Sequence, residues 1–257
     1  MGRMIEVPGW VAQVAGSARK VSVLTGAGMS AESGVPTFRD AQEGTSLWED
    51  YDPQLLVSVD SWYADPDLVW AWHLWLAGLV HRSVPNPGHV ALAEWAARDG
   101  VDVRVITQNI DDLHERAGSQ VLAHLHGNLF AFRCADCERP HEDAVEFLSE
   151  PEQRRRPPGC GHCGGFVRPE VVWFGEVLPH RDVEDSIDAM LDSDLVLVVG
   201  TSGIVQPAAS LPDIARGHGT PVVEINPAQT RLSARVDYCW REPAGIALPA
   251  LVAALPG

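Results

Sequence analysis

The sequence predicts an α/β chain built on a doubly wound parallel sheet, with a small cysteine-bound and helical module set into it. Three observations predict this: short apolar runs rich in Val and Ile, helical patterns between them, and two C-x-x-C pairs. The runs are residues 20–25 (KVSVLT), 101–107 (VDVRVIT), 194–200 (DLVLVVG) and 220–226 (TPVVEIN). Runs of this kind suit parallel strands covered on both faces. Between them, residues 87–98 place Val90, Leu92, Ala93, Trp95 and Ala96 at helical spacing, and residues 182–191 form a shorter amphipathic candidate. Strands that alternate with helices imply right-handed βαβ units.

Two regions break that rhythm. Residues 62–80 carry Trp62, Trp70, Trp72 and Trp75 and read as one helix packing a large aromatic surface, over a pocket or in a plain core. Residues 134–163 are loop-like and hold four of the five cysteines, with a polar, turn-rich linker at 151–159 (PEQRRRPPG). Both read as modules inserted in the α/β core. The expected division is a discontinuous main domain (1–40, 86–127 and 170–257), a helical part (41–85) and a cysteine ribbon (128–169).

Composition narrows the function. The formal net charge is −16 over 257 residues, which opposes binding to a nucleic-acid backbone and suits basic, lysine-rich partners. A merely solvated surface is the plainer reading of that charge. No leader-like apolar run opens the chain, Glu6 spoils a myristoylation pattern, and no stretch is long and apolar enough for a membrane span. A cytoplasmic monomer with reduced cysteines is expected.

Chemistry enters at the strand ends. The first run leads into Gly26-Ala27-Gly28-Met29-Ser30-Ala31, a G-x-G-x-x-A turn that lets backbone approach a pyrophosphate, with a helix N-terminus expected after it. The other runs end in Thr107-Gln108-Asn109, Gly200-Thr201-Ser202 and Glu224-Ile225-Asn226. Four hydrogen-bonding strand ends favour a cofactor cleft over a purely structural turn. Cys134-x-x-Cys137 and Cys160-x-x-Cys163, separated by 22 residues, read as a closed four-thiolate zinc site. A full set of thiolates makes His141 and His162 unnecessary as ligands and leaves no open position for metal catalysis. Cys239 reads as a small buried residue. His126, followed by glycine, lies where the core meets the cysteine module, and such junctions favour clefts. His114 and His124 read as structural.

Together these segments resemble the sirtuin family. The resemblance rests on residues 26–39 (GAGMSAESGVPTFR), Thr107-Gln108-Asn109-Ile110-Asp111, His126-Gly127, the paired knuckles, Val172-Trp173-Phe174-Gly175-Glu176, Gly200-Thr201-Ser202 and Asn226-Pro227, in family order. The wording is most similar to the branch of bacterial deacylases and the mitochondrial desuccinylase. The resemblance implies a Rossmann-like main domain, one structural zinc ion, and NAD and an acyl-lysine protein or peptide meeting in the cleft. In the family the acyl oxygen attacks the nicotinamide ribose, nicotinamide leaves, and a histidine base then acts on a ribose hydroxyl to yield O-acyl-ADP-ribose. His126 matches that base, with Asn109 and Asp111 beside it as positioning groups. Gly26, Ala27, Gly28, Ala31, Phe38 and Arg39 match the cofactor loop. Gln108, Asn109, Ile110 and Asp111 match the ribose and nicotinamide pocket, and Gly200, Thr201, Ser202, Asn226 and Ala244 the adenosine side. Val172, Phe174, Gly175, Glu176, Ile204 and Val205 match the segments that hold the peptide as an added strand.

One departure bears on the acyl group. Where the desuccinylase branch has a Tyr and an Arg that grip a carboxylate, alignment on Val69-Trp70 and on residues 85–89 puts His73 and Leu76. Neutral acyl groups, acetyl first, are therefore expected over succinyl or malonyl. A protonated His73 would attract an acidic acyl group, so residual desuccinylation is expected to rise as pH falls through about 6.5. Two alternatives stay open: a non-catalytic NAD-binding regulator, and an NAD glycohydrolase or ADP-ribosyltransferase.

Overall fold

The computed structural model describes residues 5–36 and 56–256. Strands β1 (Lys20–Thr25), β2 (Asp102–Thr107) and β3 (Val121–His124) come first, then a two-stranded antiparallel ribbon, β4 (Gly127–Cys134) and β5 (Val167–Val171). Strands β6 (Leu195–Val199), β7 (Val222–Ile225) and β8 (Tyr238–Trp240) complete the main sheet. The described helices are α1 (Gly9–Ser17), α2 (Val59–Ala64), α3 (Pro66–Arg82), α4 (Pro87–Ala96), α5 (Leu113–Arg116), α6 (His180–Leu191), α7 (Leu211–Gly217) and α8 (Ala244–Ala254).

The main sheet is parallel throughout in the order β3-β2-β1-β6-β7-β8. Counted within the sheet this is 3-2-1-4-5-6, the dinucleotide-binding order, and the order reverses between β1 and β6. Four strands stand where the apolar runs place them. β3 and β8 were not expected, because VLAH and YCW stand outside any longer apolar run, whereas β7, also of four residues, lies within the run 220–226.

Alternation along the strands divides the core in two. Val21, Val23, Leu195, Leu197, Val199 and Val223 face α1, α4 and α8, where Leu92, Trp95, Leu248 and Leu251 meet them. Leu24, Ile106, Val196, Val198 and Val222 face the other way, onto Met190 of α6 and Leu211 of α7. Three layers result, as the continuous apolar runs require.

The tryptophan-rich stretch is two helices rather than one. Asp65 caps α3 by accepting from Leu68 N at 3.1 Å, and Pro66 sits at its first position, where a missing N–H is harmless. Residues Leu68 to Gly78 of α3 are buried on every side. The ribbon accounts for this: Trp70 meets Phe132 edge-on at 5.6 Å, Trp62 lies 5.1 Å from Trp173, and Leu148 N donates to Leu74 O. The two inserted pieces therefore share one core that includes Leu76, Leu129, Val167 and Val171. The 151–159 segment is strapped across it. Arg154 bonds Asp65 at 2.6 Å, Arg155 N donates to Asp67 O, and Arg156 lies over the Phe166 ring.

Among the described residues, no α-helix directly follows the glycine turn. Two 3₁₀ turns, Ala27–Met29 and Ala31–Ser33, stand where one was expected. Gly34, at φ 82°, ends the second turn in a left-handed conformation that glycine adopts without strain.

Gly78 lies where the main chain at Leu148 crosses α3, and an added Cβ would come within 2.0 Å of Leu148 O. Alanine is the better helix former by about 1 kcal/mol. The clash should outweigh that gain, so Gly78→Ala is expected to lower Tm by about 4 °C or more. A thermal melt in which the variant equals or exceeds the parent would refute this packing.

Candidate active site

The site begins with strand register. His124, Thr107, Thr25, Val199, Ile225 and Trp240 pair one after another across the sheet, so six strands reach the same row. Past that row the chain runs into Leu125-His126, Gln108–Asp111, Gly26–Ser30, Gly200–Ser202 and Asn226. Ligands of open parallel sheets bind at this edge, where strand order reverses.

At the reversal two turns pack backbone against backbone. Gly26 N donates to Val199 O at 3.0 Å and Gly28 N to Gly200 O at 2.8 Å. A Cβ on Gly28 would lie 2.8 Å from Gly200 Cα, and one on Gly200 would lie 2.3 Å from Met29 N. Gly200 also has φ 63°. Glycine is thus required on both sides. Ala27 is half-buried within this turn, and Ala31 is exposed at the start of the second.

Behind the turn lies a buried polar network. Ser30 is fully buried; its hydroxyl donates to Asp111 Oδ2 at 2.8 Å and accepts from Asn109 Nδ2 at 3.2 Å. Asp111 also accepts from Leu113 N. Burial pushes the Asp111 carboxyl above its ordinary range, against the pull of the Ser30 and Leu113 bonds. Asn86 caps α4, accepting from Gly88 N, and its amide donates to Met29 O at 2.7 Å, which ties that helix to the glycine turn. His89 and His114 lie edge to face at 4.8 Å, and His114 shares a hydrogen bond with the Thr25 hydroxyl at 3.2 Å. Burial lowers them to about 4 and about 3, so both rings are neutral. His114 is structural, as expected. His124 is also a structural partner, bonded to Glu115 at 2.6 Å. Ser30, Asn86 and His89 were not among the expected site residues; Ser30 stood inside the quoted glycine motif, yet motif spacing says nothing about hydroxyl partners.

His126 sits beside this network. Its Nδ1 lies 2.8 Å from Gln108 O, and a carbonyl only accepts, so Nδ1 carries the proton. In the neutral ring Nε2 then holds the free lone pair, as a base requires. Burial lowers the His126 pKa, with the Gln108 bond opposing part of the shift. The glycine after it is needed on two counts: Gly127 has φ 80°, and a Cβ there would meet Glu170 O at 2.1 Å.

The remaining expected residues fall into groups. Gln108 Nε2 donates to Thr201 Oγ1 at 3.1 Å, and Asn226 Nδ2 to Thr201 O at 3.1 Å, joining three strand ends. Ser202 O accepts from Arg231 N. Ala244 is buried at the start of α8, and its neighbour Gly245 donates to Glu32 beside the glycine turn. Ile110 O accepts from Leu129 N, linking this edge to the ribbon. Val172 N donates to His126 O at 2.8 Å. Phe174 and Ile204 are exposed large apolar residues, and Gly175 and Val205 lie beside them in sequence. Phe38 and Arg39 lie outside the described residues.

His73 corrects an expectation. Its Nδ1 donates to Val69 O at 2.7 Å, and its Nε2 accepts the Trp173 indole N–H at 3.2 Å. Burial lowers its pKa to about 4, with the Val69 bond opposing and Arg168 adding to the shift. The ring is therefore neutral at working pH, and both nitrogens are taken. It is not a switchable cation. Leu76 is 8% exposed in the same apolar cluster.

The four cysteines converge as the knuckles predict. All four Sγ atoms lie within 4.8 Å of one another. The closest pairs are Cys134–Cys163 at 3.4 Å and Cys137–Cys160 at 3.8 Å. Four sulfurs at about 2.3 Å from one zinc ion stand about 3.8 Å apart, so the set fits. Backbone N–H groups of Asp136 and Cys137 point at Cys134 Sγ, and that of His162 at Cys160 Sγ, as thiolates favour. His162 Nδ1 lies 3.1 Å from Arg139 Nη1, a donor, and is no ligand. Cys239 differs from expectation: it is half-buried, with its thiol 3.3 Å from Ser233 O.

A 3-2-1-4-5-6 sheet whose strand ends meet at one edge, beside a tetracysteine ribbon, defines a nucleotide-binding α/β protein with a metal-type module. The sequence pattern of the Sir2 family matches residues 26–207, and the chain belongs to that family. It is 49% identical over 244 residues to an NAD-dependent protein deacylase of Corynebacterium glutamicum, covering 95% of this chain and 94% of the other. A Sir2 homologue solved in complex with NAD superposes with TM-score 0.86 at 39% identity, over 98% of this chain and 95% of that one. A Sir2 solved with a deacetylated p53 peptide and 3'-O-acetyl ADP-ribose superposes with TM-score 0.79 at 28% identity, over 95% and 98%. No described helix is long and apolar enough to cross a membrane.

The ribbon has little core of its own, so metal binding should supply folding free energy. Cys134→Ser is expected to lose zinc and thermal stability together, read by metal analysis and a melt on the same sample. A folded, zinc-free variant with full activity would sink the structural role.

Proposed function

We propose that the chain removes acyl groups, acetyl first, from protein lysines at the expense of NAD, with His126 as general base. The supporting observation is the pinned tautomer: the Gln108 carbonyl fixes the proton on Nδ1 and frees Nε2. NAD, when bound, supplies the ribose that takes the acyl group as nicotinamide leaves. The donor set suits it, with close-packed turns at Gly26–Gly28 and Gly200 and polar groups at Gln108, Asn109, Thr201 and Asn226 converging on one edge. Asp111 and Asn109, joined through Ser30, hold the reactive geometry. Ile110 completes that pocket, while Ser202 and Ala244 serve the adenosine side. Ala31, Phe38 and Arg39 belong to the cofactor loop.

The acyl-lysine peptide lies as an added strand between residues 172–176 and Ile204-Val205. The exposed Phe174 and Ile204 support this placement. The acyl chain runs toward His73 and Leu76, whose neutral, apolar character supports acetyl and longer apolar groups over succinyl. A zinc ion held by Cys134, Cys137, Cys160 and Cys163 keeps the ribbon folded. We assign 1–40, 86–127 and 170–257 to the nucleotide domain, 41–85 to the helical part and 128–169 to the ribbon. We place the enzyme as a cytoplasmic monomer acting on basic protein segments and not on nucleic acid, a reading supported by the charge of −16. Nicotinamide release with and without an acetyl-lysine peptide separates deacylation, which needs the peptide, from NAD glycohydrolysis, which does not.

His126→Ala is expected to lose deacylation by roughly 100-fold or more, while nicotinamide exchange survives better because it precedes the base. Because burial lowers its pKa, deacylation should rise with pH through a value below 6.5 and be flat above it. Near wild-type deacylation in a folded variant, or an acid limb centred above 6.5, would overturn the assignment.

For acyl preference, kcat/KM should rank acetyl and butyryl above succinyl on one peptide. With His73 held neutral down to about 4, the succinyl rate should not climb between about pH 8 and 6. His73→Tyr with Leu76→Arg should shift the preference toward succinyl. A parent enzyme that prefers succinyl at about pH 8 would refute the neutral pocket.

A further inference from the structure

We propose that Arg168 is a positioning residue of the acyl-lysine site, setting the segment 172–176 against His126 through Glu176 and Trp173. The inference rests on the reading above that this segment carries the peptide.

Arg168 lies on β5, in the cysteine ribbon, and is 5% exposed. A buried guanidinium is costly unless its N–H groups find acceptors. Here they do. Nη1 and Nη2 grip the Glu176 carboxylate at 2.5 and 2.9 Å, Nη2 also donates to Val171 O at 2.8 Å, and Nε to Pro169 O at 3.3 Å. The guanidinium carbon stands 3.4 Å from the centre of the Trp173 ring. Stacking and a bidentate fork together are a geometry that arginine supplies and lysine does not.

The gripped segment is tied to a different element at almost every residue. Val172 N bonds His126 O, and the Trp173 indole bonds His73 on α3. Phe174 N donates to Val57 O and its carbonyl accepts from Val59 N, beside α2. Glu176 closes the turn by accepting from Trp173 N at 2.8 Å, around Gly175 at φ 95°. Arg168 holds this turn from the ribbon side through both Glu176 and the Trp173 ring. The Phe174 ring, 45% exposed, stands at the tip between these anchors. Loss of the fork would remove the anchor that holds the turn from the ribbon side. The turn would shift while the nucleotide edge, built on other strands, stayed in place.

The test is steady-state kinetics with an acetyl-lysine peptide on Arg168→Met, Arg168→Lys, Glu176→Gln and the Arg168→Met/Glu176→Gln double variant, with zinc content and Tm measured in parallel. Arg168→Met should lower kcat/KM for the peptide roughly 10- to 100-fold, mainly through KM, the scale of a small misplacement. The KM for NAD should stay within about twofold. Arg168→Lys should recover part of the loss. The double variant should be no worse than Arg168→Met by more than about twofold, because both changes break one unit. Three results would overturn the proposal: an unchanged peptide KM, single-variant losses that multiply in the double, or an NAD KM that rises in step with the peptide KM. If Arg168→Met fails to fold, Arg168→Lys and Glu176→Gln decide on the same readouts. If the parent shows no turnover, the functional reading falls, and peptide affinity by calorimetry on the parent and Arg168→Lys still decides. No peptide binding by the parent overturns both.

Discussion

Parallel register is the constraint on which the site depends. Six strands reach one row because their main-chain ladders align His124, Thr107, Thr25, Val199, Ile225 and Trp240. A slip of one residue would turn every side chain of a strand to the opposite face. It would exchange, for example, the Val21 and Val23 face with that of Leu24, and both faces are buried under helices. The apolar core therefore fixes the row, and the row fixes where Gly26, Gln108, Gly200 and Asn226 begin. His126, two residues beyond the row at the end of β3, arrives beside Gln108 for the same reason.

Close packing then locks the segments that the row brings near. The turns at Gly28 and Gly200 touch through main chain alone, so neither can carry a side chain. The buried hydroxyl of Ser30 then serves Asn109 and Asp111 at once. A half-satisfied polar network in a dry interior is worse than none, and here Thr25, Ser30, Asn109 and Asp111 each find partners in neighbouring segments.

Local and distant causes separate the parts that were legible in the sequence from those that were not. The glycine turn, strands β1, β2, β6 and β7 and the paired knuckles were legible, because each has a local cause: φ/ψ freedom, apolar runs, ligand spacing. The break at Asp65-Pro66 had a local cause too, a cap and a proline, but the surrounding tryptophans suggested one long helix. β3 and β8 stand outside any longer apolar run. Within residues 27–33 the expected helix gives way to two 3₁₀ turns, because G-x-G-x-x-A fixes the turn and leaves the conformation of the next residues open. The role of Ser30 depends on Asp111, 81 residues away, and the neutrality of His73 on burial under the ribbon and its flanking segment, neither of which spacing along the chain encodes.

The two halves of the site are held by different physics. The nucleotide edge rests on sheet register and on backbone packing in which Gly28 and Gly200 leave no room for a side chain. The segment proposed to carry the peptide rests on main-chain bonds to His126, Val57 and Val59 and, in addition, on side chains: an ion pair from the ribbon, a stacked ring, an indole bonded to a helix histidine. Side-chain anchors can be exchanged without rebuilding the sheet. On the proposed reading, His73 and Leu76 on α3 offer the acyl group no charge, and both lie outside the strand-end row. On that reading acyl preference is set on one helix, α3, and the cofactor edge by the register of the sheet.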